Sequence, residues 1–377
     1  MKRILIYTVT AGSGHNTIAK TLQDSLIAKY GGEVEIKIVD LFKDYKSKFK
    51  AFVIDDGYRF SVKYLRPAYN YCFKKKQKCK PVKRNTIGVS MALAGKYDKI
   101  LCTLEEFKPN YIFCTHFLPA IALTNLKKRG LLNIPFGTMI TDYVVCPYIE
   151  HTTSADKVLI PCDKLKEDLL KIGFKESQIL TLGFPAKVEK CLNFEKDECE
   201  EKTLTLLIMS GSGSFSGLTE NIKKLLKADL DIKVVFINGK NNKQKSKIQK
   251  IIDKIDCKNT EVENYGFVDN EFHYQLLQEC DIIVTKCGAN SLLEALNLGK
   301  VVVTTEKLAE QELQNVFYFK NFIPIFLLNK NLTLLDILKN EKFDKEFFAK
   351  YKEQLDKLNE SNICEKYADF IFNSCKI

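Results

Sequence analysis

Apolar, β-branched runs recur along the chain, and most are followed by a small-residue turn and then by apolar positions three or four apart. That alternation predicts strand, loop and helix in series, the pattern of parallel sheets with right-handed crossovers. Lys2 to Thr10 is the first run and leads into the turn AGSGH. Ile18, Leu22 and Leu26 then recur at helical spacing, and the helix is expected to stop at Tyr30 before Gly31 and Gly32. Val34, Ile36 and Ile38 alternate as the next strand, running toward Asp40. The opening turn is not a dinucleotide fingerprint, because Thr17 stands where the third glycine would be.

The rhythm breaks between Leu41 and Lys99, where Phe52, Tyr58, Phe60, Tyr64, Tyr69, Tyr71 and Phe73 precede the cations Lys74, Lys75, Lys76, Lys78, Lys80, Lys83 and Arg84. It resumes with a strand over Asn110 to Thr115, a helix near Ala120 to Arg129, an apolar run ending at Asp142, a strand over Asp156 to Pro161 and a helix over Lys164 to Lys171. Pro185 ends regular structure, and the polar, aperiodic residues 186–202 read as a linker. The second half repeats the grammar: LTLLIMS, a glycine-serine loop, a helix, IKVVFING and a lysine-rich helix. Within Tyr265 to Asn315 the runs Asp281 to Thr285 and Lys300 to Thr305 flank a small-residue turn and a helix that stops at Gly299. The expected class is α/β, with two Rossmann-like doubly wound domains facing each other across a cleft. Residues 1–187 form the first, 203–355 the second, and 356–377 a C-terminal helix packing across them. Ligands of such sheets bind at the carboxyl ends of the strands, and a loop before a helix N-terminus favours an anion.

Composition narrows this picture. A chain of 377 residues with 45% hydrophobic and 28% charged residues is an ordinary globular one, without an apolar run of 18 residues or a signal-peptide pattern at its start. Thirteen cysteines without a CxxC, and histidines scattered at 15, 116, 151 and 273, offer no zinc spacing and read as reduced cytosolic thiols beside isolated imidazoles. The net charge of +11 is uneven: residues 1–190 carry 32 Lys+Arg against 18 Asp+Glu, and the remainder 26 against 29. A basic half rich in aromatics suits an anionic membrane surface or stacked single-stranded nucleic acid, and equally a packed core beside a solvated cationic loop.

GSGHNTIAKTL near the start, MSGSGSFSG after the linker, GFVDN, VTKCGANSLLEALNLGK and EQELQN together resemble the monogalactosyldiacylglycerol synthase and processive diacylglycerol glucosyltransferase family, whose members are GT-B enzymes related to the one that makes lipid II. The resemblance covers most of the chain. It implies a UDP-sugar on the C-terminal domain and a lipid acceptor on the N-terminal one. By the same resemblance Gly266 and Phe267 hold the uracil, and Gly211, Ser212 and Gly213 lie near the diphosphate with Gly288, Ala289 and Asn290. Glu294 takes the ribose hydroxyls, and Gln311 and Glu312 the donor sugar.

Each of these has a local alternative. Ser291 and Glu294 stand in capping-box spacing, the glycines suit any strand-to-helix turn, and Gln311 and Glu312 suit a solvated helix start. Glu310 stands where the family has a glycine, and the His and Trp that follow the family's TD pair are absent. His15, after Gly14 on the acceptor side, is the expected general base, because a helix N-terminus favours neutral imidazole, and by the resemblance Asp142 of the TD pair is the other choice; His116 follows a strand end as the family's histidine does, where core or turn packing suits it equally. No DxD cluster suits a metal, although Asp55 and Asp56 are adjacent, so no cofactor is expected. The expected activity is inverting transfer of a hexose from a UDP-sugar to a lipid such as diacylglycerol, by a cytoplasmic enzyme peripheral on the inner face of the cell membrane, with nucleic acid not expected as a partner. The alternatives are a UDP-sugar enzyme with a soluble acceptor, and a membrane or nucleic-acid binding module with a decayed site.

Overall fold

The structure is a computed structural model describing residues 1–10, 14–43, 64–78, 89, 93, 95–187, 203–209, 218–358 and 361–375. The chain divides into two units, residues 1–189 with 309–314 and 360–377, and residues 190–308 with 315–359.

The first unit is built on a parallel sheet of β1 (Lys2–Thr8), β2 (Val34–Asp40), β3 (Tyr111–Cys114), β4 (Phe136–Met139), β5 (Lys157–Ile160) and β6 (Ile179–Thr181), in the order β2-β1-β3-β4-β5-β6. The crossover from β1 to β2 is α1 (Gly14–Tyr30), whose stripe Ile18, Leu22 and Leu26 is buried. Burying each of those side chains contributes roughly 1.5–3 kcal/mol. Gly31 follows with a φ of +46°, the left-handed conformation that ends helices. The irregular stretch of the sequence contains α2 (Arg66–Lys78), which periodicity did not reveal because its face is mixed: Phe73 is buried and Tyr71 exposed. After α3 (Tyr97–Phe107) comes α4 (Phe117–Lys128), which starts earlier than its apolar pattern implies because His116 caps it, Nδ1 accepting from the Leu118 N–H at 3.1 Å. The last helix of this run is α5 (Lys166–Lys171). The short edge strand β6 gives no periodic signal.

The second unit repeats the plan with β7 (Leu204–Met209), α6 (Thr219–Ala228), β8 (Ile232–Ile237), α7 (Asn242–Ile252), β9 (Glu261–Tyr265), α8 (Asn270–Glu279), β10 (Ile282–Val284), α9 (Ala289–Asn297), β11 (Val301–Thr305), α10 (Glu310–Phe319), β12 (Ile325–Leu328), α11 (Leu334–Asn340) and α12 (Lys345–Leu358). Its parallel sheet runs β12-β11-β10-β7-β8-β9. The first turn of α10 groups with the first unit. The tail is two helices rather than one: α12 ends at Leu358, and α13 (Ile363–Asn373) starts after Asn362, whose φ is +60°. Helix α13 packs on α1, where Ser25 donates to the Cys364 carbonyl at 3.0 Å and Lys29 pairs with Glu365 and Asp369.

Both sheets reverse strand order once. The reversal falls between β1 and β3 in the first unit and between β7 and β10 in the second. A doubly wound sheet opens a crevice at such a point, beyond the carboxyl ends of the two strands.

Candidate active site

At the first switch point, the end of β1 leads to α1 and the end of β3 to α4, which brings His15 and His116 together with ring centroids 4.5 Å apart, edge to face. His15 Nδ1 lies 2.7 Å from the Thr115 carbonyl oxygen. A carbonyl only accepts, so Nδ1 carries the proton and Nε2 of the neutral ring carries the lone pair. Burial lowers the His15 pKa from its ordinary 6.5, opposed by the Thr115 hydrogen bond. Loss of solvent thus acts in the same direction as the helix N-terminus, in whose first turn His15 stands. His116 is pushed further down, first by burial and then by its neighbour His15. With Nδ1 committed to the cap, His116 is a structural histidine that stacks on Phe117 at 4.4 Å.

Around these rings lies a cavity of about 350 Å³ whose walls include Val9, Phe73, Phe117, Leu118, Met139 and Ile140, with His15, Asp142 and Gln311 among its polar groups. The two residues expected to supply the base thus face one cavity. Its lining includes three residues that no sequence pattern singled out as site residues. Tyr69 donates to Gln311 Oε1 at 3.1 Å, and its pKa is raised, mainly by burial. Cys146 is held as a thiol, its pKa pushed well up by burial and then by the Asp142 charge, so it is not a ready nucleophile. Tyr148 has a φ of +81°, a left-handed conformation costly for a bulky side chain, and it accepts from Lys76 Nζ at 2.7 Å. Backbone strain of this kind leaves no trace in periodicity, whereas the aromatic density before Lys74 was a usable signal for Tyr69.

The two buried imidazoles make stability pH-dependent. The unfolded chain binds protons on both near pH 6.5 and the folded chain does not, so the unfolding free energy is fully present above 6.5 and falls as pH drops below it, levelling off beneath the folded-state values. Melting curves recorded between about pH 7 and pH 5 are expected to show a falling Tm, and a His116→Gln variant a shallower fall. An unchanged wild-type slope in that variant would remove His116 from the account.

At the second switch point the loop after β10 enters α9 through Gly288, which is the N-cap. Ala289, Asn290 and Ser291 form the first turn, so Ser291 and Glu294 lie inside the helix and the capping box read from their spacing is not formed. Asn315, fully buried, donates to the Cys287 carbonyl at 3.2 Å and fixes this loop. Gly266 and Phe267 follow β9, whose end is held by Asn238 donating to the Tyr265 carbonyl at 2.8 Å. Phe267 is 68% exposed, with the Lys240 ammonium 5.3 Å from its ring centre. Glu312 Oε2 accepts from the Ala309 N–H at 3.2 Å and so caps α10.

The structure divides the basic cluster. Lys74 pairs with Glu310 and Lys76 with Tyr148, while Lys75 lies 6.0 Å from the Tyr71 ring centre. Gly14 is the first residue of α1. Gly211, Ser212, Gly213, Lys80, Lys83, Arg84, Asp55, Asp56 and the Lys78 side chain lie outside the described residues. Among the described residues no group of three His, Cys, Asp or Glu is placed to hold a metal ion, and no helix is long and apolar enough to cross a membrane.

This arrangement of sheets matches solved structures along its length. MurG of Acinetobacter baumannii aligns over 99% of this chain and all of its own at a TM-score of 0.67 and 13% identity, and the UDP-GlcNAc 2-epimerase of Neisseria meningitidis, bound to UDP-GlcNAc, over 99% of each at 0.59 and 14%. Residues 205–342 match the glycosyltransferase family 28 C-terminal domain. The protein is a glycosyltransferase of the GT-B fold. Residues 15–186 match the monogalactosyldiacylglycerol (MGDG) synthase family. Among curated proteins, the processive diacylglycerol β-glucosyltransferase of Bacillus pumilus is 24% identical over 95% of this chain and 91% of its own, and the probable monogalactosyldiacylglycerol synthase 3 of Oryza sativa 24% over 84% of this chain and 63% of its own. The first half of the chain thus resembles monogalactosyldiacylglycerol synthases, and the second half the C-terminal domain of family 28 glycosyltransferases.

Proposed function

We propose that the protein transfers a hexose from a UDP-sugar to the hydroxyl of a diacylglycerol-type lipid, with inversion at the anomeric carbon. The observation that carries this reading is His15: a neutral imidazole with Nδ1–H fixed on the Thr115 carbonyl, in a largely apolar cavity at the switch point of the first sheet. Nε2 takes the proton as the acceptor oxygen attacks the face of the sugar opposite the leaving nucleotide, so an α-linked donor gives a β-glycoside. Asp142 lies in the same cavity and would orient the acceptor or share the charge that develops on the ring. The apolar walls suit the glycerol end of a lipid. In the second unit the uracil lies at Gly266 and Phe267, and the ribose hydroxyls on Glu294. The diphosphate gathers charge in the transition state at the first turn of α9, where the N–H groups and helix dipole favour it, and Gly211, Ser212 and Gly213 are assigned to the same group by their sequence. Gln311 and Glu312 meet the donor sugar. Neither a metal nor another cofactor is required by this scheme.

Acceptor delivery is interfacial in this reading: the exposed Lys75 meets an anionic leaflet, the exposed Tyr64, Leu65 and Tyr71 enter its headgroup region, and Lys78, Lys80, Lys83 and Arg84 add positive charge to the same stretch of sequence. Reversing charge at Lys75, Lys80 and Lys83 together is expected to weaken binding to anionic vesicles by about a hundredfold or more, at roughly 1 kcal/mol per cation, and to leave neutral vesicles unaffected. Equal binding by wild type and variant in a vesicle sedimentation assay would make the cluster a solvated face only. The donor assignment is tested by calorimetry with UDP. Saturable binding supports it, and no detectable heat at about millimolar nucleotide, a Kd weaker than about −4 kcal/mol of binding, removes it.

A further inference from the structure

Helix α2 carries the basic cluster, yet its first lysine is turned to other use. Lys74 Nζ lies 3.2 Å from Glu310 Oε2, and Glu310 is only 1% exposed. The other carboxylate oxygen of Glu310 accepts from Gln314 Nε2 at 2.9 Å. One turn back on α2, Tyr69 donates to the oxygen of the Gln311 amide. Two side chains of α2 therefore grip two consecutive residues of the first turn of α10. A buried carboxylate left without a cation is strongly unfavourable, so the pair favours staying formed although the Lys74 side chain is itself 59% exposed. A glycine at position 310 could not form this contact.

We propose that Lys74 and Glu310 are positioning residues: their ion pair, with the Tyr69 hydrogen bond, fixes the first turn of α10 so that Gln311 presents its amide to the donor sugar. Lys74 then serves the donor side of the reaction rather than the lipid surface. The inference rests on the proposed reading of Gln311 as a sugar contact.

Steady-state kinetics with UDP-glucose or UDP-galactose and diacylglycerol vesicles tests it, using Lys74→Met, Glu310→Gln, the double variant and Lys74→Arg. Each neutral single variant is expected to raise the donor KM about tenfold with kcat changed much less, the double variant to raise it no further than the singles, and Lys74→Arg to stay near wild type. Vesicle binding of Lys74→Met is expected to match wild type. Because Glu310→Gln is a buried change, Lys74→Met carries the test where that variant is unstable. An unchanged donor KM in Lys74→Met, with weakened vesicle binding, would overturn the inference and return Lys74 to the membrane surface. A wild-type protein with no turnover of either donor would overturn the functional reading itself, and this inference with it.

Discussion

His15→Ala is expected to lower the rate of sugar transfer by about 10²–10⁴-fold, the range that a positioned general base supplies. The side chain lies in the first unit, whereas every nucleotide contact proposed above belongs to the second, so UDP affinity measured by calorimetry is expected to stay near wild type. Rate and binding separate in this variant because the imidazole acts on the acceptor proton and not on the donor. The pH profile gives a second reading of the same group. Burial holds the His15 pKa below 6.5, so the wild-type rate stays high at pH 6.5 and declines only as pH falls through the lowered value, where the ring becomes cationic and cannot accept a proton. Asp142→Asn is the natural comparison. If His15→Ala turns over at the wild-type rate while Asp142→Asn is inactive, the carboxylate is the base and the imidazole is structural.

Glu294→Ala is expected to weaken UDP binding roughly tenfold to a hundredfold, the loss that follows when a charged acceptor of hydrogen bonds is removed, about 1.5–3 kcal/mol. Selectivity sharpens this expectation: wild type should bind UDP more tightly than 2′-deoxy-UDP, and the variant should bind the two nearly alike. Stability gives the control. Gly288 is the N-cap of α9 and Glu294 lies inside the helix, where alanine is the better helix former, so any loss of Tm is expected to be small beside the loss of UDP affinity. A variant that melts much earlier yet keeps its UDP affinity would assign Glu294 to the helix rather than to the ribose.

How far the sequence carried this account differs between its parts. Strands such as β1, β7 and β11 are apolar runs, and a helix such as α1 buries one periodic stripe, so hydrophobic patterning revealed them. The edge strands β6 and β12 and the helix α2 were not legible, because a three- or four-residue strand and a helix with a mixed face leave too few periodic positions to count. His15 and Asp142 could be named from their turns, but their sharing of one cavity depends on strand order, which a single chain does not display. The same holds for Glu310. Its burial and its pairing with Lys74 join residues 236 positions apart, one in a stretch without rhythm and the other at a helix start. The capping box at Ser291 and Glu294 shows the opposite error, a spacing that fits a motif although the helix begins three residues earlier. Tyr148 belongs to neither group, since a positive φ at a tyrosine has no sequence signature.

The central claim is hexosyl transfer from a UDP-sugar to a lipid hydroxyl with His15 as base, and one measurement addresses it directly: purified protein incubated with UDP-glucose or UDP-galactose and vesicles of diacylglycerol in anionic phospholipid, the lipid fraction read by mass and by the anomeric proton coupling. The account predicts a hexosyl-diacylglycerol with β configuration from wild type and none from His15→Ala. A product of α configuration, free sugar or an epimerised UDP-sugar in place of glycolipid, or equal glycolipid from both proteins, would contradict it.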